Sequence, residues 1–250
     1  MLLPNVDIRD DAFISAIVAS DYRVAGVFRK YGIDYCCGGK QDLITACALR
    51  GLDIAQIKKE IADAVRTVGV SGSADFNRWS VDFLADYIIN VHHAYLVNNL
   101  PEIVATVERF AASHRKSLPY VDELLTSLLK LRDSLLPHLE QEEKIIFPYI
   151  RQIAHAYENH EPYAALLVRT LRKPIENMMA HEHNEVAGQI YRIRELTNNY
   201  ALASNACITQ KVLFAMLKEL DCDLQQHIHL KSNILFPKAV AMENEMLALK

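Results

Sequence analysis

Apolar residues recur three, four and seven positions apart over most of the chain, and strict alternation of apolar and polar residues is rare. The first spacing places apolar side chains on one face of an α-helix, whereas alternation would indicate β-strands. Glycine is scarce, and proline stands near the ends of the periodic segments. The pattern therefore predicts an all-α protein.

Short helical patterns fill the first part of the chain, and two of them end at glycines, Gly32 and Gly51. A stretch rich in glycine and serine, TVGVSGSADFN, comes next and is typical of a linker. We therefore expect a small N-terminal helical domain over residues 1–67, a linker over 68–77 and a larger domain over 78–250.

Four long amphipathic segments follow the predicted linker. The spacing predicts helices over about 80–114, 118–147, 174–196 and 205–235, with a shorter helix over 161–172 before the third. Four long amphipathic helices joined by modest loops predict an antiparallel four-helix bundle.

Each of the four long segments carries a histidine on its apolar face. These residues are His93, His138, His183 and His227, and Glu142 shares a helical face with His138. One buried histidine with a hydrogen bond would be ordinary core packing, because every buried polar group needs a partner. Four histidines and a carboxylate indicate instead a metal site inside the bundle, where such groups bind iron, manganese or zinc.

Composition and charge narrow the class of protein. The chain has 250 residues, of which 51% are apolar, enough for one substantial core or a large domain with a small companion. A net charge of −4 with both signs interspersed gives no basic field for nucleic acid. The acidic start and the lack of a run of about 20 apolar residues predict neither a secretory signal nor a membrane span. Five cysteines without paired spacing favour a reducing cytoplasm.

Two adjacent cysteines, Cys36 and Cys37, stand between two predicted helices and are followed by Gly38 and Gly39. Adjacent cysteines bond to each other only with strain, so another thiol or a metal is the more natural partner. The alternative is a pair of small apolar residues packed in a turn. We expect a role in disulfide exchange, metal binding or iron transfer.

Together these segments make the chain resemble the di-iron family that repairs iron centres, in which a hemerythrin-like bundle follows a small N-terminal domain. The resemblance spans nearly the whole chain, and its Cys-Cys-Gly-Gly block is the most specific part. The segments that carry it are FRKYGIDYCCGGKQDL at 28–43, IINVHHAYLVNNLPEI around His93, HLEQEEKIIFP from His138, HEHNEVAGQI around His183 and HIHLKSNILFPKA from His227.

The resemblance implies a non-haem di-iron centre bridged by two glutamates and an oxygen species. It implies that His93, His138, His183 and His227 are ligands and that Glu142 is one of the bridges. Cys36 and Cys37 would handle iron or electron exchange.

The resemblance also implies a cytoplasmic stress-response protein that supports repair of iron–sulfur clusters damaged by nitric oxide or peroxide. Its partners would be iron–sulfur proteins or the cluster assembly machinery, and the chain would be a monomer or a homodimer. Two alternatives stay open: a protein that reversibly binds or senses oxygen or nitric oxide, and an enzyme that reduces nitric oxide.

Lys231 departs from this pattern, because it stands where the second bridging glutamate would be. At an effective dielectric constant near 20, a pair of unit charges ~4 Å apart interacts by roughly 4 kcal/mol, so a charged lysine cannot lie in an anion's place beside two metal ions. Lys231 could turn away on its stem, lose its proton, or leave the bridge to another carboxylate. Asp223 is the best such candidate, and Glu143 and Glu176 are weaker ones. A centre with one metal ion or none is the remaining interpretation.

Overall fold

The described part of the chain contains eleven α-helices and no strand, apart from an isolated bridge between Phe13 and Asp42. This confirms the all-α prediction. For residues 19, 20, 29 and 171–185 the structure describes the backbone only. The structure, a computed structural model, describes residues 8–20, 24–33, 35, 41–65 and 76–248.

The chain divides into two compact units, and the first comprises Met1–Gly72 and Tyr200–Leu217. Its core includes the fully buried side chains of Ile14, Phe28 and Ile61. The helices described in its N-terminal part are α1 (Ile14–Ser20), α2 (Val24–Lys30), α3 (Leu43–Ala48) and α4 (Ile54–Val65).

Local sequence signals explain where these short helices begin and end. The Asp42 side chain caps α3 by accepting a hydrogen bond from the Thr45 amide at 2.7 Å. Gly32 and Gly51 follow α2 and α3, and both have a φ of 64°. Glycine adopts this left-handed conformation without the steric cost that a side chain would bring.

The second unit comprises Ser73–Asn199 and Lys218–Lys250. Three of its long helices contain a π-helical segment, in which backbone hydrogen bonds span five residues. We name these the first π segment (Ile88–His93), the second (Glu142–Ile146) and the third (Lys231–Leu235). The other α-helices of this unit are α5 (Val81–Tyr87), α6 (Ala94–His114), α7 (Val121–Gln141), α8 (Phe147–Glu158), α9 (Ala164–Leu196) and α11 (Phe236–Ala248). Helix α10 (Ile208–Leu230) belongs to this unit from residue 218 onward.

Packing between these helices forms the predicted bundle. Helix α7 packs against α6 and α9, and α8 packs against α5, α9 and α11. Because the connections over 115–120 and 159–163 are short, successive long helices run antiparallel. The helical-bundle prediction is confirmed. Polar side chains buried inside the bundle cannot form hydrogen bonds with bulk water, so they need partners within the protein.

Two helices continue past prolines at which the sequence analysis predicted helix ends. The second predicted helix stops at 147, but the structure continues through the second π segment and α8 to Glu158. Helix α9 is continuous across Pro174, where a new helix was expected to begin. A proline inside a helix removes one backbone hydrogen bond, but this loss does not end α9.

The predicted linker over 68–77 lies outside the described residues except for Phe76 and Asn77, which open a short 3₁₀ turn (Phe76–Arg78). The division of the chain at residues 67 and 78 therefore stays a prediction.

Candidate metal centre

The three π segments position the polar residues of the bundle interior. His93 closes the first, Glu142 opens the second and Lys231 opens the third. In the last two, the amides of Phe147 and Phe236 bond to the carbonyls of Glu142 and Lys231, five residues earlier. π-Helical turns inside α-helices occur frequently at functional sites.

A proline follows each of these two π segments directly after its phenylalanine, at Pro148 and Pro237. A proline has no N–H, so the regular ladder of hydrogen bonds loses one bond at each place. The five-residue bonds keep both helices continuous at the point where the ladder is interrupted. The similar sequences HLEQEEKIIFP and HIHLKSNILFP thus form similar local structures.

Three side chains converge at one buried point. His93 Nε2 lies 3.1 Å from His227 Nε2 and 3.2 Å from Glu142 Oε2, and His227 Nε2 lies 3.6 Å from the same carboxylate oxygen. None of these side chains is more than 1% exposed. One ligand atom from each lies within 4.8 Å of the other two, so a single cation could contact all three.

The proton positions suit a cation. Glu143 Oε1 lies 2.7 Å from His93 Nδ1, and because a carboxylate only accepts hydrogen bonds, that nitrogen carries the proton. In this tautomer Nε2 directs its lone pair toward the centre. Burial lowers the pKa of His227 to about 3, so its imidazole is neutral near pH 7, as a metal ligand must be.

The buried oxygen Glu142 Oε2 makes no well-formed hydrogen bond within the described residues, although it faces two imidazole nitrogens. Leaving a buried carboxylate oxygen unsatisfied is costly, and a bound cation would satisfy it. The donor set of two imidazoles and one carboxylate therefore fits one metal ion.

Lys231 occupies the other side of Glu142. Its side chain is only 2% exposed, and its Nζ donates a hydrogen bond to Glu142 Oε1 and lies 3.0 Å from His138 Nε2. His138 Nε2 is itself 3.1 Å from Glu142 Oε1. Lys231 thus does not turn away toward solvent, and its ammonium lies between the two groups that would bind a second ion. Around Glu142, the side chains that the structure describes do not fit two metal ions.

The charge of Lys231 keeps Glu142 ionised. Burial by itself would raise the pKa of Glu142. The positive charge of Lys231, together with the three imidazoles that face the carboxylate, outweighs burial, so the pKa of Glu142 lies well below its usual value. Lys231 and Glu142 therefore form a buried ion pair.

The structure brings His93, Glu142 and His227 together, and places His138 beside Lys231. Asp223 lies outside this group, because its Oδ1 is 2.8 Å from His92 Nδ1. The side chains of His183 and Glu176 lie outside the described residues, as do Cys36 and Cys37.

Sequence reasoning did not select His92 as a site residue and gave Glu143 too little weight. His92 is buried, with only 2% of its surface exposed. Glu143 appeared only as a weak replacement for the bridge, yet it contacts the far nitrogen of His93. The sequence signal that could have identified Glu143 was its position directly after Glu142.

An all-α bundle that gathers imidazole and carboxylate groups in its buried interior defines the class of helical-bundle cation-binding proteins. Comparison with known domains agrees, since residues 84–173 match the hemerythrin HHE cation binding domain. Residues 10–65 match a domain of unknown function, DUF542.

Whole-chain relatives identify the family. The iron-sulfur cluster repair protein YtfE of Dickeya chrysanthemi is 31% identical over 221 residues, which cover 88% of this chain and 93% of the relative. The protein of the same name from Escherichia coli is 32% identical over 93% of this chain and 98% of its own length. A probable iron-sulfur cluster repair protein of Haemophilus influenzae is 30% identical over 91% and 96%.

This chain belongs to the family of iron-sulfur cluster repair proteins. The resemblance drawn from the motifs is therefore confirmed. Within the described residues, none of the helices combines the length and the apolar content that crossing a bilayer requires.

Proposed function

We propose that this protein binds iron in its helical bundle and supports the repair of iron–sulfur clusters damaged by nitrosative or oxidative stress. The observation that carries the proposal is the convergence of His93, His227 and Glu142 at one buried point. Two further findings support it: the match to a cation binding domain, and relatives named as iron-sulfur cluster repair proteins.

The residues of the site supply ligand atoms for iron and fix their orientation. His93 and His227 would bind through Nε2, and Glu142 through Oε2. Glu143 holds the proton on His93 Nδ1 and so orients the ring, and the Phe147 ring stacks on it with centroids 5.6 Å apart. Burial excludes bulk water from all three ligands. Iron bound there would supply one-electron redox chemistry and open positions for small ligands.

In this proposal the protein acts in a reducing cytoplasm, and its partners are iron–sulfur proteins or the cluster assembly machinery. Cys36 and Cys37 would pass iron or electrons between the bundle and such a partner. That role rests on the residue types and on the family resemblance.

Recovery of a damaged cluster tests the proposal. In a bacterial host without its own repair protein, a pulse of nitric oxide inactivates a dehydratase that depends on an iron–sulfur cluster. We expect its activity to return several-fold faster with the wild-type chain than with His227→Ala. His229→Ala is the matched control, because His229 is exposed and only two residues away. Equal recovery with wild type and His227→Ala would contradict the proposal.

Reversible binding of a diatomic molecule is the second candidate function. Three protein ligands leave coordination positions open, which suits nitric oxide or oxygen. Rapid-mixing spectra distinguish the two functions, since a stable, reversible adduct without effect on cluster recovery favours sensing. Reduction of nitric oxide would need two ferrous ions, and the Lys231 ammonium disfavours the second.

A further inference from the structure

We propose that the Lys231 ammonium replaces the second metal ion of this centre, so that the chain binds one ion and not two. That ion is held by His93, His227 and Glu142. The inference rests on the proposed function only in taking the ion to be iron, because the same geometry applies to any divalent metal.

The two oxygens of Glu142 face different partners. Oε2 faces His93 Nε2 at 3.2 Å and His227 Nε2 at 3.6 Å, and this is the side on which a cation fits. Oε1 accepts a hydrogen bond from Lys231 and lies 3.1 Å from His138 Nε2. The carboxylate therefore bridges a metal position and an ammonium, where the family resemblance implies a bridge between two iron ions.

Lys231 also occupies the space of a second ion. Its Nζ is within hydrogen-bond distance of both Glu142 and His138, the two groups that would coordinate such an ion. An ammonium carries three N–H donors and no lone pair, so it cannot serve as a ligand. Because the lysine is buried, solvent and salt screen its charge little, and a metal cation placed beside it would be repelled.

The remaining three ligands form a set known from single-ion sites. Two histidines and one carboxylate bind one non-haem ferrous ion and leave other positions open. Glu143 completes this arrangement by fixing the protonated nitrogen of His93. The exchange of one glutamate for lysine thus converts a two-ion pattern into a one-ion site with a fixed internal cation.

Metal stoichiometry and spectroscopy test the inference on the full-length chain. The purified protein is loaded anaerobically with ferrous iron, excess metal is removed, and iron and protein are quantified. We expect one iron per wild-type chain and, after oxidation, the electron paramagnetic resonance signal of an isolated high-spin ferric ion. Lys231→Glu should bind two ions and lose that signal through coupling of the pair. Lys218→Glu, the same change at an exposed position of α10, should still bind one.

A second comparison holds even where Lys231→Glu fails to fold. Because His138 lies on the ammonium side, His138→Ala should keep its single ion, whereas His227→Ala should lose it. Two ions per wild-type chain, or equal loss of metal in His138→Ala and His227→Ala, would overturn the one-ion inference and leave the proposed iron function standing. A wild-type chain that binds no iron would overturn both.

Discussion

Lys231 and Glu142 form a buried ion pair at the centre of the bundle, with exposures of 2% and 0%. Moving two charges out of water is expensive, and their attraction repays that cost only where further hydrogen bonds satisfy both groups. Here His138 contacts both members, and two more imidazoles face the carboxylate. The pair is thus stable as a unit, and removing one member leaves an unpaired charge in the interior.

Glu142→Gln is therefore expected to destabilise the metal-free protein by about 3–5 kcal/mol, because Lys231 would stay buried without a counter-charge. The double variant Glu142→Gln/Lys231→Met should lose less than Glu142→Gln alone, since no buried charge remains. Urea unfolding measures both free energies.

Glu140→Gln is the control for this pair of variants. Glu140 lies on the same helix and pairs with Lys144, but it is 62% exposed, so its loss should change stability by no more than about 0.5 kcal/mol. The single variant Lys231→Met completes the cycle. If the double variant loses as much stability as Glu142→Gln and Lys231→Met lose together, Glu142 and Lys231 are not coupled.

For single residues, the sequence predicted which residue types form the site but not which side chains pair with each other. The apolar face of each helix identified His93, Glu142 and His227, because a face is set by spacing alone. The side-chain contact of Lys231 depends on its rotamer and on a partner 89 residues earlier, which spacing does not contain. None of the outcomes expected for Lys231 was a buried pair with Glu142.

Among the helices, α9 offers a test of backbone conformation. Gly188 lies in its interior, and a Cβ added there would meet no atom within 4 Å. Because glycine costs more conformational entropy on folding, Gly188→Ala should stabilise the protein by about 0.5–1 kcal/mol. Gly51→Ala should instead destabilise it, since Gly51 has a φ of 64°. Chemical unfolding measures both changes in stability. If both variants were more stable than the wild type, the argument from the φ of Gly51 would be contradicted.

Helices α2 and α4 are joined by an ion pair that responds to pH. Lys30 Nζ lies 2.8 Å from Glu60 Oε2, and the Tyr31 hydroxyl donates to the other oxygen at 2.5 Å. Hydrogen bonds from Lys30, then Tyr31 and Gln56, lower the pKa of Glu60 to about 2.

Because the pKa of Glu60 is lower in the folded chain than its ordinary value of 4.5, the ionised group stabilises the fold above about pH 4.5. That contribution is lost as the pH falls toward 2. Wild type should therefore be more stable than Glu60→Gln at pH 6, and the difference should vanish near pH 2 in unfolding experiments. Asp63→Asn, at an exposed position of α4, is the control. A difference that does not depend on pH would exclude this ion pair as its cause.

The sequence predicted that these helices exist but not their internal register. Periodicity identifies a helix by its buried face, and the long amphipathic segments showed that face clearly. The π segments depend on which carbonyl each amide reaches, and a proline such as Pro148 is equally compatible with a helix end. For that reason the three turns that position His93, Glu142 and Lys231 were not predicted.

For the molecule as a whole, the candidate metal ligands all lie in one of the two compact units. His93, Glu142 and His227 all belong to the second unit. Iron held by these three residues would therefore stabilise the second unit directly, because a ligand stabilises only the state that binds it.

Hydrogen exchange with and without ferrous iron tests this distribution of stability. At a free iron concentration 100 times the dissociation constant, binding adds about 2.7 kcal/mol, so amides that exchange only when the site opens should slow roughly 100-fold. We expect this slowing in the three π segments and no change in α1–α4. His227→Ala should show no effect of iron anywhere, because it lacks one of the three ligands. Equal slowing in α1–α4, or none in the π segments of an iron-loaded chain, would show that the ion is held elsewhere.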